Sequence, residues 1–225
     1  MSLASPSSLL RRLKKFLKGS PHRYLKEVSG VIHVGAHRGQ ERDRYAQHDL
    51  DVVWLEPNPD LFRELEANLA GFPRQRAYRH LVTDQDDKEV VFHIANNGGA
   101  SSSILELKRV RDIWPNLGYS SELLLKSITL PSFLAREGID PAPYQALVLD
   151  TQGSELMILK GAESLLGGFR YIETEAADFD AYEGCCTVED LRAFLRARGF
   201  RECARKRVAG EKGVGKYYTL VFRRG

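Results

Sequence analysis

Apolar residues along the chain fall into two kinds of stretch, and the two alternate. Short, nearly unbroken apolar runs (Val31-Ile32 with Val34, Val52 to Leu55, Ala146 to Leu149) have the composition of strands buried on both faces of a parallel sheet, and Tyr171 to Glu175 reads as the next strand. Between them, apolar residues recur at helical spacing. Leu61, Phe62, Leu65 and Leu69 form one stripe, started by Asn58-Pro59-Asp60 and stopped by Gly71 and Pro73. Val188, Leu191, Phe194 and Leu195 form another, capped by Thr187 and ended by Gly199. The same reading predicts a polar helix over Glu41 to Leu50, a third strand over Arg79 to Thr83, and an extended arm over Glu89 to Ala95. It predicts a short strand at Ile128 to Leu130 with a helix from Pro131 to Glu137, and a helix from Gly153-Ser154 through Leu166. Residues 105 to 126 carry mixed helical character broken at Pro115 and Gly118. Runs near 201–208 and 217–223 flank a glycine-rich loop, as a closing hairpin would. Strand and helix in this rhythm specify an α/β fold: a doubly wound, mostly parallel seven-stranded sheet with an antiparallel closing hairpin.

The first apolar run delivers the chain into Val34-Gly-Ala-His-Arg-Gly-Gln-Glu41. Gly35 allows a tight turn, and Gly39 allows close approach of a ligand or packing of the next helix. Seventeen residues beyond Gly39, the second run ends in Glu56-Pro57. A glycine turn followed at this distance by an acid at the end of strand two is the arrangement that holds an adenosine ribose, both hydroxyls donating to one carboxylate. The glycine spacing is Gly-X-X-X-Gly, not the Gly-X-Gly-X-X-Gly that cradles a pyrophosphate, which disfavours a nicotinamide-dependent reductase. S-adenosylmethionine has no phosphate and accepts such a turn.

Charge changes the picture at the ends. Net charge is +3, but residues 1–26 carry seven bases and no acid, and residues 201–225 carry eight bases and two acids, so the body between them is acidic. An acidic body argues against a nucleic-acid-binding core. Leu9, Leu10, Leu13, Phe16 and Leu17 form one stripe with Arg and Lys around it. Residues 1–26 are thus expected to be a basic amphipathic helix and linker preceding a domain over 27–225, with weak peripheral contact to an anionic membrane surface through residues 7–18 or a cap on the domain as its use. No apolar run approaches a membrane span and no signal-peptide core is present, so a cytoplasmic location is expected. Cys185, Cys186 and Cys203 match neither a disulfide framework nor a zinc site and are expected to be reduced thiols.

Several stretches together resemble the FkbM-type methyltransferases, a branch of the class I S-adenosylmethionine-dependent enzymes with a Rossmann-like fold, from about residue 30 to 223. These are residues 34–41, Trp-Leu-Glu-Pro-Asn-Pro (54–59), Asn-Asn-Gly-Gly-Ala-Ser-Ser-Ser-Ile (96–104), Leu-Asp-Thr-Gln-Gly-Ser-Glu-Leu (149–156), Leu-Lys-Gly-Ala (159–162) and Tyr-Glu-Gly-Cys (182–185). The resemblance implies O-methylation of a hydroxyl on a sugar, glycan or small metabolite. It implies cofactor contacts from Gly35, Ala36, His37, Gly39, Glu56 and Pro57, with Asp84 near the adenine and Asp150 by the reacting centre. His33 departs from the acid most relatives place before the glycine turn, and Val148 and Gln152 depart from the Lys and Glu of Lys-X-Asp-X-Glu-Gly. These departures motivate the alternative of a catalytically silent fold that acts as a binding module.

A sugar hydroxyl is a poor nucleophile at neutral pH and benefits from a general base. Asp150 and Glu175 end adjacent strands and are the candidates, with His37 as a proton shuttle. Ser101, Ser102 and Ser103 in the small-residue loop, with Gln152, Asp178 and Tyr182, are the candidate acceptor contacts. Asp150 with Gln152 offers too few oxygens to assert a metal; none is expected, and oligomeric state is not legible.

Overall fold

The computed structural model describes residues 21–225; the basic stretch 7–18 lies outside them. Ten strands and five α-helices follow one another: β1 (Gly30–Val34), α1 (Arg42–Ala46), β2 (Asp51–Leu55), α2 (Pro59–Leu69), β3 (Gln75–Tyr78), β4 (Leu81–Val82), β5 (Glu89–Ala95), β6 (Tyr119–Ile128), α3 (Leu130–Arg136), β7 (Ala146–Leu149), α4 (Glu155–Gly161), β8 (Tyr171–Ala177), α5 (Val188–Arg196), β9 (Phe200–Glu211) and β10 (Gly215–Arg224). Seven strands form one sheet in the order β3-β2-β1-β7-β8-β10-β9. The first five run parallel; β10 runs antiparallel to both β8 and β9. This is the sheet the apolar pattern predicts.

Both faces of that sheet are covered. Ile32, Val53, Leu147 and Ile172 pack with Phe133 of α3, Ile158 of α4 and Leu191 of α5. On the other face, Val31, Trp54, Val148 and Tyr171 pack with Tyr24, Leu25, Tyr45 and Leu65. A strand buried on both faces needs no alternation, which is why β7 reads as an unbroken apolar run and β1 as one interrupted at His33. The chain leaves β1 toward β2 and β3, then returns on the other side as β7. The crossovers therefore part at the carboxyl ends of β1 and β7, and an open crevice forms there.

Five features differ from the sequence reading. The third strand of the sheet is Gln75–Tyr78, not Arg79 to Thr83; Leu81–Val82 instead pairs with β6 in a separate three-stranded sheet, β4-β6-β5. Residues 119–128, read as helical or as a short strand at 128–130, form one ten-residue strand antiparallel to β5. The helix expected over Glu41 to Leu50 is α1 alone, and that expected through Leu166 stops at Gly161 and continues as a 3-10 turn, Glu163–Gly168. Residues 21–26, assigned to a linker, belong to a 3-10 helix, Pro21–Glu27, that buries Tyr24 and Leu25 against the sheet. It is anchored by His22 to Glu173 (3.1 Å) and by the Arg170 guanidinium to Glu27 (2.6 Å), so the domain starts earlier than Glu27.

Candidate functional site

The crevice is a solvent-open cleft lined from the carboxyl ends of β1, β2 and β7. β1 reaches it through Gly35. There the backbone is left-handed (φ 84°), and an added Cβ would sit 1.9 Å from the Asp150 carbonyl oxygen. Only glycine lets the ends of β1 and β7 lie so close. Gly39 (φ 68°) serves the helix behind: a Cβ would meet Leu65 of α2 at 2.7 Å.

Between these glycines His37 also takes a positive φ (49°), and this aims its backbone N–H at Glu56. Glu56 Oε2 accepts from His37 N (2.7 Å) and Oε1 accepts from Asn58 N (2.9 Å). Asn58 in turn caps α2 with its side chain, accepting from Asp60 N at 2.9 Å. The carboxylate is therefore fixed at both oxygens, each with a further lone pair, and Glu56 lines the cleft with Ala36 and Pro57. Burial pushes its carboxyl up to about 7, against the pull of the two backbone N–H groups.

Across β1, Asp150 follows the last residue of β7. It is open to solvent through the cleft and enclosed by protein elsewhere. Its Oδ1 accepts from Gln152 Nε2 (2.7 Å), and the Gln152 Oε1 accepts from the buried Tyr182 hydroxyl (2.8 Å). Gln152 holds this bridge from a left-handed backbone (φ 54°). Burial, opposed by the Gln152 amide and reinforced by Glu41 and Glu173, holds the Asp150 carboxyl above the usual range. Beneath this loop lies a residue that sequence reasoning missed. Glu155, buried at the start of α4, accepts from Thr151 N (2.9 Å) and Gly153 N (3.0 Å) and so shapes the 150–153 turn. Burial pushes its carboxyl up to about 7. Its signals were a place in the 149–156 stretch and an acid two residues after a glycine at a helix start, which ordinarily reads as a solvated first-turn acid.

Other expected site residues are placed differently. Glu175 is beside Asp150 in register, because Leu149 pairs with Thr174, but it does not line the cleft; it accepts from Thr219 Oγ1 (2.9 Å). Burial and then the Asp150 charge hold its carboxyl high. Asp178 is exposed at the hairpin and accepts from Lys216 N (2.7 Å), off the cleft. Asp84 is likewise exposed and off the cleft, whose wall here is His80, Leu81 and Val82.

The serines act as loop fasteners. Ser102 Oγ accepts from Ala95 N (3.1 Å), Ser103 Oγ donates to the Gln152 carbonyl (2.8 Å), and Ser101 Oγ accepts from Asn97 Nδ2 (2.9 Å). Of the three, only Ser102 lines the cleft. His37 has neither ring nitrogen free: Nε2 lies 3.0 Å from the Gly98 carbonyl and 2.9 Å from Arg38 Nη1, and Nδ1 lies 2.7 Å from the Gln40 amide. It clasps the 96–103 loop over the glycine turn, a geometry that suits a positioning role better than a proton shuttle.

The donor set fits an adenosyl sulfonium. Glu41, Glu56 and Asp150 line the cleft, and among the described residues no Lys or Arg does. A phosphate would find no countercharge there, whereas a cationic ligand would find three carboxylates. Gly35 lets Asp150 lie close beside the glycine turn, and Glu56 is held at the other side of β1.

The comparisons with known proteins agree with this geometry. Residues 33–202 match the Methyltransferase FkbM domain. The 2-O-methyltransferase NoeI of Sinorhizobium fredii is 22% identical over 198 residues, which is 79% of this chain and 80% of that protein. Among solved structures, M. capricolum TrmK, crystallised with S-adenosylhomocysteine, superposes with a TM-score of 0.52 at 8% identity over 91% of this chain and 67% of that one. The magnesium protoporphyrin IX methyltransferase ChlM of Synechocystis, also with bound S-adenosylhomocysteine, gives 0.50 at 11% identity over 97% of this chain and 80% of that one. At these identities the superpositions speak for the fold, and the domain match speaks for the family. The chain belongs to the FkbM methyltransferase family, a family of S-adenosylmethionine-dependent methyltransferases.

Proposed function

We propose that this protein O-methylates a hydroxyl on a sugar, a glycan or a small metabolite. The observation that carries the reading is the pairing, on either side of Gly35, of one carboxylate fastened for binding (Glu56) with one left open at the cleft floor (Asp150). When bound, S-adenosylmethionine supplies an electrophilic methyl group on a sulfonium that leaves as a neutral thioether. Glu56 would accept from the ribose hydroxyls, and Ala36 and Pro57 would wall the site. Asp150 would take the proton that the acceptor hydroxyl gives up. Proximity and alignment supply most of the acceleration, and the base makes the hydroxyl reactive at neutral pH.

The hydroxyl acceptor is supported by the name of the NoeI relative, a 2-O-methyltransferase. It is supported also by a groove beside the cleft lined by Asn96, Asn97, Ser101, Trp114, Pro115 and Asn116, with no charge among the described lining residues. Its exposed indole and neutral amides suit a sugar ring better than an ion. Loop 96–103 walls both the groove and the cleft. In the same reading the enzyme works in the cytoplasm, with residues 7–18 lending weak attachment to anionic membrane.

The test is transfer of a tritiated methyl from S-adenosylmethionine into fractionated glycans and small metabolites, with identification of the labelled atom. Label on carbon or nitrogen would overturn O-methylation. Binding of S-adenosylhomocysteine with no transfer to any fraction would favour the silent binding module.

A further inference from the structure

Glu41 closes the glycine-turn stretch and precedes α1, yet its side chain makes no cap hydrogen bond to that helix. It lines the cleft instead. Among the described residues its carboxylate has no hydrogen-bonding or ion-pairing partner, while the neighbouring acid Asp43 lies 3.9 Å from Arg42. Its charge acts on Asp150 and on His33, and it is not among the groups acting on Glu56. Glu41 therefore stands within electrostatic reach of the β1–β7 side of the cleft.

The residue before the turn is unable to serve a cation. His33 is buried, stacked on Trp54 with ring centroids 4.7 Å apart, and its Nδ1 lies 3.1 Å from the Tyr45 hydroxyl. Burial lowers its pKa and keeps it neutral. Asp150 has one oxygen engaged by Gln152 and needs the other for the acceptor. That leaves Glu41 as the uncommitted carboxylate in a cleft that no described Lys or Arg lines.

We infer that Glu41 receives the ammonium group of the cofactor's methionine portion, supplying from the start of α1 the carboxylate that position 33 lacks. This rests on the methyltransferase reading of the cleft. A charge-assisted hydrogen bond to a desolvated ammonium is worth about a 10- to 100-fold change in affinity.

Two ligands separate this role from a general effect on the cleft. S-adenosylhomocysteine carries the ammonium, whereas 5′-methylthioadenosine has the same nucleoside and thioether without the amino-acid part. Calorimetric titration of the full chain and of Glu41→Gln with both ligands is the experiment. The variant is expected to bind S-adenosylhomocysteine about 10- to 100-fold more weakly and methylthioadenosine within about twofold of the parent, binding of the latter also showing that the variant folds. Equal losses for both ligands, or no loss for S-adenosylhomocysteine, would overturn the assignment. If the unmutated chain binds neither ligand, the methyltransferase reading itself fails, an outcome distinct from failure of Glu41.

Discussion

Glu56 and Asp150 occupy matching places. Each follows the last residue of a strand that flanks β1, and Val34 pairs with Leu55 on one side and Leu149 on the other. Their surroundings differ. Both Glu56 oxygens are held by backbone N–H groups, which cannot swing away, whereas Asp150 is held at one oxygen by one side-chain amide. A carboxylate that must present two lone pairs in a fixed direction is served by backbone donors. One that must gain and lose a proton needs an open oxygen and a partner that can adjust. The difference divides the cleft into a rigid binding half along β2 and a titratable, reactive half along β7.

The largest effect should come from removing the reactive member. Asp150→Asn keeps the shape and loses the base, so turnover should fall by about 100-fold to 10,000-fold while cofactor affinity changes little. Single-turnover transfer at saturating cofactor measures it. A near-normal rate at every pH would end the assignment, and loss of cofactor affinity with normal chemistry would move Asp150 into the binding half. In the parent, the base acts ionised, so the rate should rise with pH, with its midpoint above the ordinary carboxylate range because burial raises this group.

Next in size is a stability effect of the binding half. Glu56 titrates near 4.5 when free and at about 7 in the fold. Between those values the folded protein keeps a proton that the unfolded chain has released. Stability from this group is therefore greatest at low pH, declines as pH rises from 4.5 toward 7, and levels off above, for a loss of about 3 kcal/mol. Glu56→Gln has no such proton, and urea unfolding from pH 5 to 8 should show a flatter slope whatever its absolute stability. An unchanged slope would mean that Glu56 is not the proton holder.

Glu56→Ala should weaken S-adenosylhomocysteine by about 2–3 kcal/mol, the worth of its charge-assisted hydrogen bonds to two hydroxyls. Calorimetry reads this directly, and a folded variant with unchanged affinity would remove Glu56 from the site.

Both halves were legible in the sequence to the extent that they sit at the ends of fully buried strands. The runs ending at Leu55 and Leu149 have no polar interruption, so the acids after them stand out. What failed to show lies where the sheet is open or where tertiary contacts decide. β3 is a polar edge strand in which only Gln75 is buried, and it carries no apolar signal. β6 is largely exposed, and its Leu123-Leu124-Leu125 run has no strand alternation. The strand displaced to Arg79–Thr83 carried Asp84 with it. Ser101, Ser102 and Ser103 looked free because hydroxyls that bond loop backbone leave no trace in composition. Glu155 was hidden because its burial depends on how the turn folds over it.

The smallest expected effect tests whether the reactive half is adjustable. Tyr182 donates to Gln152 Oε1 and so turns the amide's N–H₂ end toward Asp150. Tyr182→Phe removes that donor from a buried site, and the amide then gains nothing by keeping its orientation. Asp150 loses part of a hydrogen bond that favours its ionised form, so its carboxyl should titrate higher still. The interaction is worth about 1 kcal/mol, which corresponds to a severalfold loss of rate on the acidic limb. The loss should vanish on the plateau at higher pH, where Asp150 is ionised in either protein. A purely structural role for Tyr182 would instead lower the rate equally at all pH values. Cofactor affinity should not change, because Glu56 keeps its two backbone donors on the far side of β1. A uniform loss, or a loss of cofactor binding, would show that the two carboxylates are not independent and that the division between a rigid half and an adjustable half does not hold.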